Sequence, residues 1–315
     1  MKQTNARSLV QPLFDGAIDI VGDVHGEIDA LKMLLNHLGY AANGSHPEGR
    51  KLVFLGDLTD RGPDSPAVVE LVKTLVNSGC AQCVLGNHDL NILLEQRKHD
   101  NCWFFGTHSS LEGRGGPTTP AVLADDDIRS SIRDFFASLP LALERHDVRV
   151  VHACWDDAMI EVARQSINAA SLIRKHASTI KGHHKNRQGL DKIDRGLEHQ
   201  NKNPVKVLTS GKERRVKTPF EASGKIRYEE RVRWWEAYDG EPFCVFGHYS
   251  NYRGDARLPS MAFCADFAVA KRWQERKTKT FDGKFRGQLG AVRLPERVVC
   301  FDNGDIESIR ESEPK

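Results

Sequence analysis

Five times along this chain a short apolar run stops abruptly and opens onto a polar loop: IDIVGDVHG at 18–26, KLVFLGDLTDRG at 51–62, QCVLGNHD at 82–89, VRVVHACW at 148–155 and FCVFGHYS at 243–250. Runs of this length and β-branched content predict buried strands. Between the first three lie the helical patterns EIDALKMLLNHLG, SPAVVELVKTLVNSG and DLNILLEQRKH, with Gly39 and Gly79 as helix stops and Ser65-Pro66 as a start. Strand, loop and helix in alternation predict an α/β fold, a sheet with helices on its faces.

Further along, DDDIRSSIRDFFASLP predicts a capped amphipathic helix, and a helix is also expected from Asp156 to about His176. Residues 181–225 are polar and weakly periodic, so they are expected to be an insertion or cap without assignable elements. The tail returns to strands in MAFCADFAVA, GQLGAVRL and RVVCFDNG, the last two joined across Pro295-Glu296 as a hairpin. With 315 residues the chain can hold one large domain. The expectation is a single domain over 1–315 with an insertion over about 156–242.

Composition excludes several classes. At 39% hydrophobic and 28% charged residues, the chain is neither disordered nor a coiled coil throughout. No stretch reaches the roughly 18 apolar residues of a membrane span. The N-terminal residues lack the apolar segment of a secretory signal, and seven scattered cysteines fit reduced thiols, so a cytoplasmic location is expected. The net charge of +2 conceals a basic block: residues 181–233 hold 15 Lys or Arg against 7 Asp or Glu, a local charge of +8. A solvated surface is the ordinary reading of such a block, and a nucleic-acid contact the alternative.

The strand ends carry chemistry. Asp23 and His25 follow the first, Asp57, Asp60 and Arg61 the second, Asn87, His88 and Asp89 the third, His152 the fourth and His248 the fifth. Ligands of open α/β sheets gather at the carboxyl ends of strands, so these loops are predicted to converge. Oxygen donors mixed with imidazoles suit Mn, Fe, Zn or Ni better than calcium or magnesium.

Together these residues resemble the calcineurin-like binuclear metallophosphoesterases. GDVHG stands for GDxHG, GDLTDRG for GDxxDRG and GNHD for GNH followed by an acid, and single histidines follow two later strands. The DRG ending is similar to the phosphoprotein phosphatase branch and to the bacterial symmetrical diadenosine tetraphosphatases. The likeness spans about 17–155 and 243–302. It implies a four-layer α/β sandwich, two mixed sheets flanked by helices, and two divalent metal ions, manganese first.

Carried over by position, the resemblance implies that Asp23, His25 and Asp57 hold one ion and that Asp57, Asn87, His152 and His248 hold the other, with Asp57 shared. A hydroxide between the ions would attack phosphorus directly. Arg61 would clamp phosphate oxygens, Asn87 would contact the same phosphate, and His88, oriented by Asp60, would protonate the leaving oxygen. Two departures stand out. Cys154-Trp155 follow His152 where the family has Gly-Gly or Ala-Gly, and Tyr249 follows His248 where threonine is common.

The implied substrate is a phosphate monoester, most like that of a Ser/Thr-type protein phosphatase. A dinucleoside tetraphosphate is the alternative, and an RNA end or phosphometabolite also fits. From a different class comes an RNA- or partner-binding module with a structural metal site. Residues 101–116, rich in aromatics and glycine after GNHD, are a candidate substrate loop. Trp234 and Trp235 are read as packing anchors rather than base-stacking rings, and Asp266 receives no catalytic role.

Overall fold

The computed structural model describes residues 7–98, 101–106, 121–185, 189–222, 225–239, 242–253 and 261–309. Three of the predicted strands, Ile18–Val21, Lys51–Phe54 and Ala81–Cys83, lie side by side in parallel. Gly290–Leu294 adds antiparallel to the outer side of Ile18–Val21, and Val298–Phe301 and Ile306–Ser308 continue the sheet to six strands. The expected hairpin around Pro295-Glu296 is thus formed. A second, five-stranded mixed sheet runs Val10–Pro12, Ala142–Glu144, Val148–Val151, Phe243–Phe246 and Ala262–Cys264.

The two sheets face each other across one apolar layer. Ile18, Ile20, Val53, Leu55 and Val84 from the first meet Leu143, Val148, Val150, Phe243 and Val245 from the second. Alternate residues, Val21, Leu52 and Phe54 in one sheet and Val151, Cys244 and Phe246 in the other, turn to the helix-side core. This is the predicted α/β fold with two mixed sheets flanked by helices. Asp19 is the exception in its strand: fully buried, it receives Arg50, Arg293 and the Tyr40 hydroxyl at 2.8–3.0 Å. A buried charge is tolerated only with such partners.

Helices Ile28–Leu38, Ser65–Asn77 and Asp126–Ser138 form where periodicity places them. Gly39 ends the first at φ +90°, and the Asp64 carboxylate caps the second through the Ala67 N–H at 2.9 Å. Two expectations need correction. The helix read at 89–99 is Asn87–Leu93: it starts earlier because the Asp89 carboxylate accepts from the Gly86 N–H at 3.3 Å, and it is over before Glu95, which has φ +52°. The helix read over 156–176 is two, Asp157–Arg164 and Ala169–Lys185, because Asn168 starts the second by accepting from the Ser171 N–H at 2.8 Å. Two three-residue strands, Val10–Pro12 and Ala142–Glu144, are too short to carry a period and are not legible in the sequence.

The segment left without elements is ordered into helices Lys192–Asn201 and Pro204–Ser210 and the antiparallel pair Glu213–Ala222 and Lys225–Arg231. Its basic charge is partly paired internally: Arg214 with Glu230, Arg215 with Asp191 and Asp194, Lys202 with Glu198, and Lys212 with Asp156. Val205 and Leu208 are fully buried in the helix-side core, and Leu208 accepts a hydrogen bond from the Ala153 N–H at 2.9 Å. That bond ties this segment to the loop after His152. Among the described residues no helix is long and apolar enough to cross a membrane, and all seven cysteines are free thiols.

Candidate metal centre

The parallel strands point their carboxyl ends the same way, so the loops that follow them meet. Val24 and His25 donate their N–H groups to the Asp57 carbonyl at 3.1 and 2.9 Å, and Gly26 donates to the Leu58 carbonyl at 2.9 Å. The Asp89 carboxylate fixes the second loop to the third, accepting from the Leu58 N–H at 3.0 Å and the Thr59 hydroxyl at 3.2 Å. The backbone is tightly bent here. Of eight non-glycine residues with positive φ among the described residues, five are His25, Asp57, Asp60, Arg61 and His248. Such conformations are unfavourable, persist only when surroundings enforce them, and cluster at functional sites.

Two donor clusters result. In one, His25, Asp57 and His88 each place a ligand atom within 4.8 Å of the others; in the second, Asp57, His152 and His248 do the same. Asp57 belongs to both. Its Oδ1 accepts from the His88 N–H at 2.8 Å, leaving Oδ2 at 3.4 Å from His152 Nε2 and 3.8 Å from His25 Nε2. Asp23 stands beside the first cluster, 3.9 Å from His25 Nε2, and its carboxylate accepts from the His248 N–H at 3.1 Å. Asn87 lies at the second.

The chemistry of this donor set fits bound cations. His25 directs Nδ1 to the Thr59 carbonyl at 3.0 Å and His152 directs Nδ1 to the Leu55 carbonyl at 2.7 Å. With the proton on Nδ1 in each, both Nε2 lone pairs face Asp57, which is how a metal-binding histidine is held. The Asn87 amide admits two orientations. With nitrogen inward it donates to His248 Nδ1 at 2.7 Å and His152 Nε2 at 3.2 Å. With oxygen inward three lone pairs converge, an arrangement that a cation resolves. His248 Nε2 is buried with no hydrogen-bond partner.

Electrostatics agree. Burial raises the Asp57 carboxyl, but His152 and then His88 outweigh it and hold Asp57 well below the usual carboxylate range. Burial likewise lowers His152, yet the Asp57 charge lifts it to about 10. That imidazolium proton occupies the role a cation would take. Burial first and Asp266 second push Asp23 well above its ordinary value, because two neighbouring carboxyls compete for one desolvated space. Burial, with Arg61 beside one and Arg231 beside the other, keeps His25 and His248 well below the imidazole range, in the neutral form that ligates.

Next to the clusters, Asp60 Oδ2 lies 2.6 Å from His88 Nδ1 and Arg61 Nη2 lies 3.1 Å from His88 Nε2. The nine residues given site roles from the sequence, Asp23, His25, Asp57, Asp60, Arg61, Asn87, His88, His152 and His248, are therefore brought to one place. Two others were missed. Trp103 donates its indole N–H to Asp60 Oδ1 at 2.7 Å, so this aromatic of the 101–116 segment holds Asp60; residues 107–116 of that candidate loop lie outside the described residues. Asp266, buried next to Asp23, was given no role; its only sequence signal was an acid following a late strand.

Glycines make room for the carboxylates. A Cβ at Gly86 would stand 2.3 Å from Asp57 Oδ1, and one at Gly247 would stand 2.1 Å from Asp23 Oδ1. Gly86→Ala and Gly247→Ala are expected to weaken manganese binding by about 10- to 100-fold, the usual cost of disturbing ligand support. Titration calorimetry with manganese on each variant tests this; unchanged affinity would place the ions elsewhere.

The sequence profile of the calcineurin-like phosphoesterases matches residues 16–272. The chain belongs to that family. An asymmetrical bis(5'-nucleosyl)-tetraphosphatase, PrpE, of Anoxybacillus flavithermus is 47% identical over 284 residues, 88% of this chain and 90% of the relative. The protein of the same name from Oceanobacillus iheyensis is 37% identical over 145 residues, 43% of this chain, and the match spans only 54% of that relative's length. A cold-active protein tyrosine phosphatase, solved as a mutant, shares the fold with a TM-score of 0.50 and 15% identity over 95% of this chain and 83% of its own. Within that family's fold, the five loops named above converge on the two donor clusters.

Proposed function

We propose that this calcineurin-like phosphoesterase hydrolyses a phosphorus–oxygen bond with two divalent metal ions, and that its substrate class is a dinucleoside polyphosphate. The observation that carries the reaction is the pair of donor clusters sharing Asp57 beside Arg61 and the Asp60–His88 pair. Asp23, His25 and Asp57 hold one ion, and Asp57, Asn87, His152 and His248 the other; the mixed donors suit Mn, Fe, Zn or Ni, with manganese put first by the family resemblance. Bound there, the ions supply an acidified water and neutralise phosphate charge.

The chain's own groups do the remaining work. Arg61 is a planar fork suited to two phosphate oxygens, and on phosphate binding it exchanges its contact with His88 for the substrate. Asn87 can donate an amide N–H to the same phosphate. His88, its Nδ1 held by Asp60, is set to deliver a proton from Nε2 to the leaving oxygen. On this reading the chain is one domain in the cytoplasm, with residues 156–242 as a cap that reaches the centre through Arg231, whose Nη1 donates to the His248 carbonyl at 3.3 Å.

The substrate class follows from the 47% identical relative named for tetraphosphate hydrolysis. A protein phosphatase is the second reading, favoured by the His88–Asp60 pair itself, since a seryl or threonyl alkoxide needs protonation more than a leaving phosphate does. Purified enzyme reconstituted with manganese should show a higher kcat/KM for diadenosine tetraphosphate than for a phosphoserine peptide. The opposite order would restore the protein phosphatase. Turnover of neither, nor of an aryl phosphate, would leave a binding module.

A further inference from the structure

Beside the centre lies a cleft of about 270 Å³ between the turn Trp234–Ala237 and the loop after His248. One wall is aromatic. Trp235 meets Tyr249 edge-on with ring centres 4.6 Å apart and leans on Phe246 at 5.2 Å. Tyr249 in turn stands against the His248 ring at 5.3 Å, so the aromatic wall is continuous with a residue of the second donor cluster. The charged lining is net cationic. Arg231, Arg233 and Glu236 contribute to it, the Arg231 guanidinium lying 5.7 Å over the Tyr249 ring. Arg233 reaches Glu236 at only 3.4 Å on the exposed rim, a pair that water screens.

Ser250 also lines the cleft, with its hydroxyl shielded from solvent. The cleft is slightly smaller than the range of about 300 to 1,000 Å³ usual for ligand sites, which fits one nucleoside rather than a whole dinucleotide. A base stacks on an aromatic wall whatever its identity, while guanidinium groups meet the phosphates that follow.

From this we infer that the cleft formed by Trp235, Tyr249, Ser250, Arg231 and Arg233 is the nucleoside subsite, holding one base of the substrate against Trp235 while its polyphosphate passes the two arginines toward the donor clusters. The inference rests on the dinucleotide reading above and names the residues that set it. It also extends the reading of Trp235: the residue packs on Phe246, as the sequence led us to expect, and it lines the cleft as well. Tyr249, the departure from the family's threonine, becomes part of that wall.

The test uses the full chain with manganese. Trp235→Leu keeps apolar volume but loses the ring face, Trp235→Phe keeps a ring, and Arg233→Ala removes a guanidinium. The ratio of kcat/KM on diadenosine tetraphosphate to that on p-nitrophenyl phosphate should fall about tenfold in Trp235→Leu and in Arg233→Ala, mainly through KM, and recover in Trp235→Phe. Binding of ADP, measured by calorimetry, should weaken in the same two variants.

Outcomes separate the two levels. If wild type cleaves the dinucleotide and neither ratio nor ADP affinity moves, the subsite is wrong and the proposed function stands. If wild type prefers phosphopeptide but ADP still binds and weakens in both variants, the substrate reading fails while the subsite holds. Absence of any ADP binding to wild type overturns the subsite.

Discussion

Asp57→Asn should abolish turnover and leave the fold intact. The amide is isosteric: its oxygen can keep accepting from the His88 N–H, and its nitrogen can donate toward the Nε2 atoms of His152 and His25 that now face Oδ2. What disappears is the one anion common to both donor clusters. Losing several kcal/mol of charge stabilisation in the transition state corresponds to about three orders of magnitude or more in kcat/KM, at roughly 1.4 kcal/mol per decade. Manganese content by mass spectrometry should drop from two ions per chain. A separate signature exists in metal-free protein. The Asp57 charge is the leading influence that lifts His152 to about 10 against burial, so the His152 resonance should titrate well below that value in Asp57→Asn. Full activity in this variant, with two ions still bound, would remove the centre from the chemistry altogether.

The sequence reveals this centre because the chemistry is coupled to local rules. Each apolar strand has to end, and the glycine that ends it, Gly22 before Asp23, Gly56 before Asp57 and Gly86 before Asn87, lets a neighbouring loop approach: a Cβ would meet the Ala265 carbonyl, the Gly86 backbone and Asp57 respectively. Gly56, at φ +86°, could not be replaced by a residue with a side chain without meeting the Gly86 backbone at 2.4 Å. Motif and turn are thus the same object, and order along the chain converts directly into convergence in space. The parallel sheet order follows from the same alternation.

What the sequence concealed depends on contacts between distant segments. Trp103 looks like any aromatic until its indole N–H is found on Asp60, 43 positions away. Asp266 becomes meaningful only when the second sheet brings it against Asp23. The basic segment at 181–233 carries little periodicity because its strands pair only with each other and its helices bury few faces. Helix Pro204–Ser210, seven residues long, has no window in which a 3.6-residue period could show, yet Val205, Val207 and Leu208 are fully buried. Charge counting there misleads in another way, since several of its arginines and lysines already meet acids of the same chain.

The role of His88 decides between two arrangements that the geometry brings close together, because its ring also joins the cluster of His25 and Asp57. As a proton donor it should matter in proportion to the leaving group. His88→Asn is expected to lower kcat/KM by about 10²- to 10⁴-fold for an alkyl phosphate. The loss should be far smaller for an aryl phosphate or a phosphoanhydride, whose leaving oxygens need little protonation. As a metal ligand it would cost all substrates alike and reduce bound manganese. Asp60→Asn gives the pH signature. Burial lowers His88, but the Asp57 charge and the hydrogen bond to Asp60 raise it by more, so the imidazolium persists above its ordinary 6.5. A histidine raised on folding adds stability that is complete below the unfolded pKa and lost as pH climbs through the folded one. Activity that needs the protonated ring follows the same limb. Replacing Asp60 removes one raising partner and should move the alkaline limb of kcat/KM for an alkyl phosphate toward lower pH, with manganese content unchanged. A limb that stays in place while manganese is lost would make the ring a ligand, and the proton for the leaving oxygen would then have to come from water.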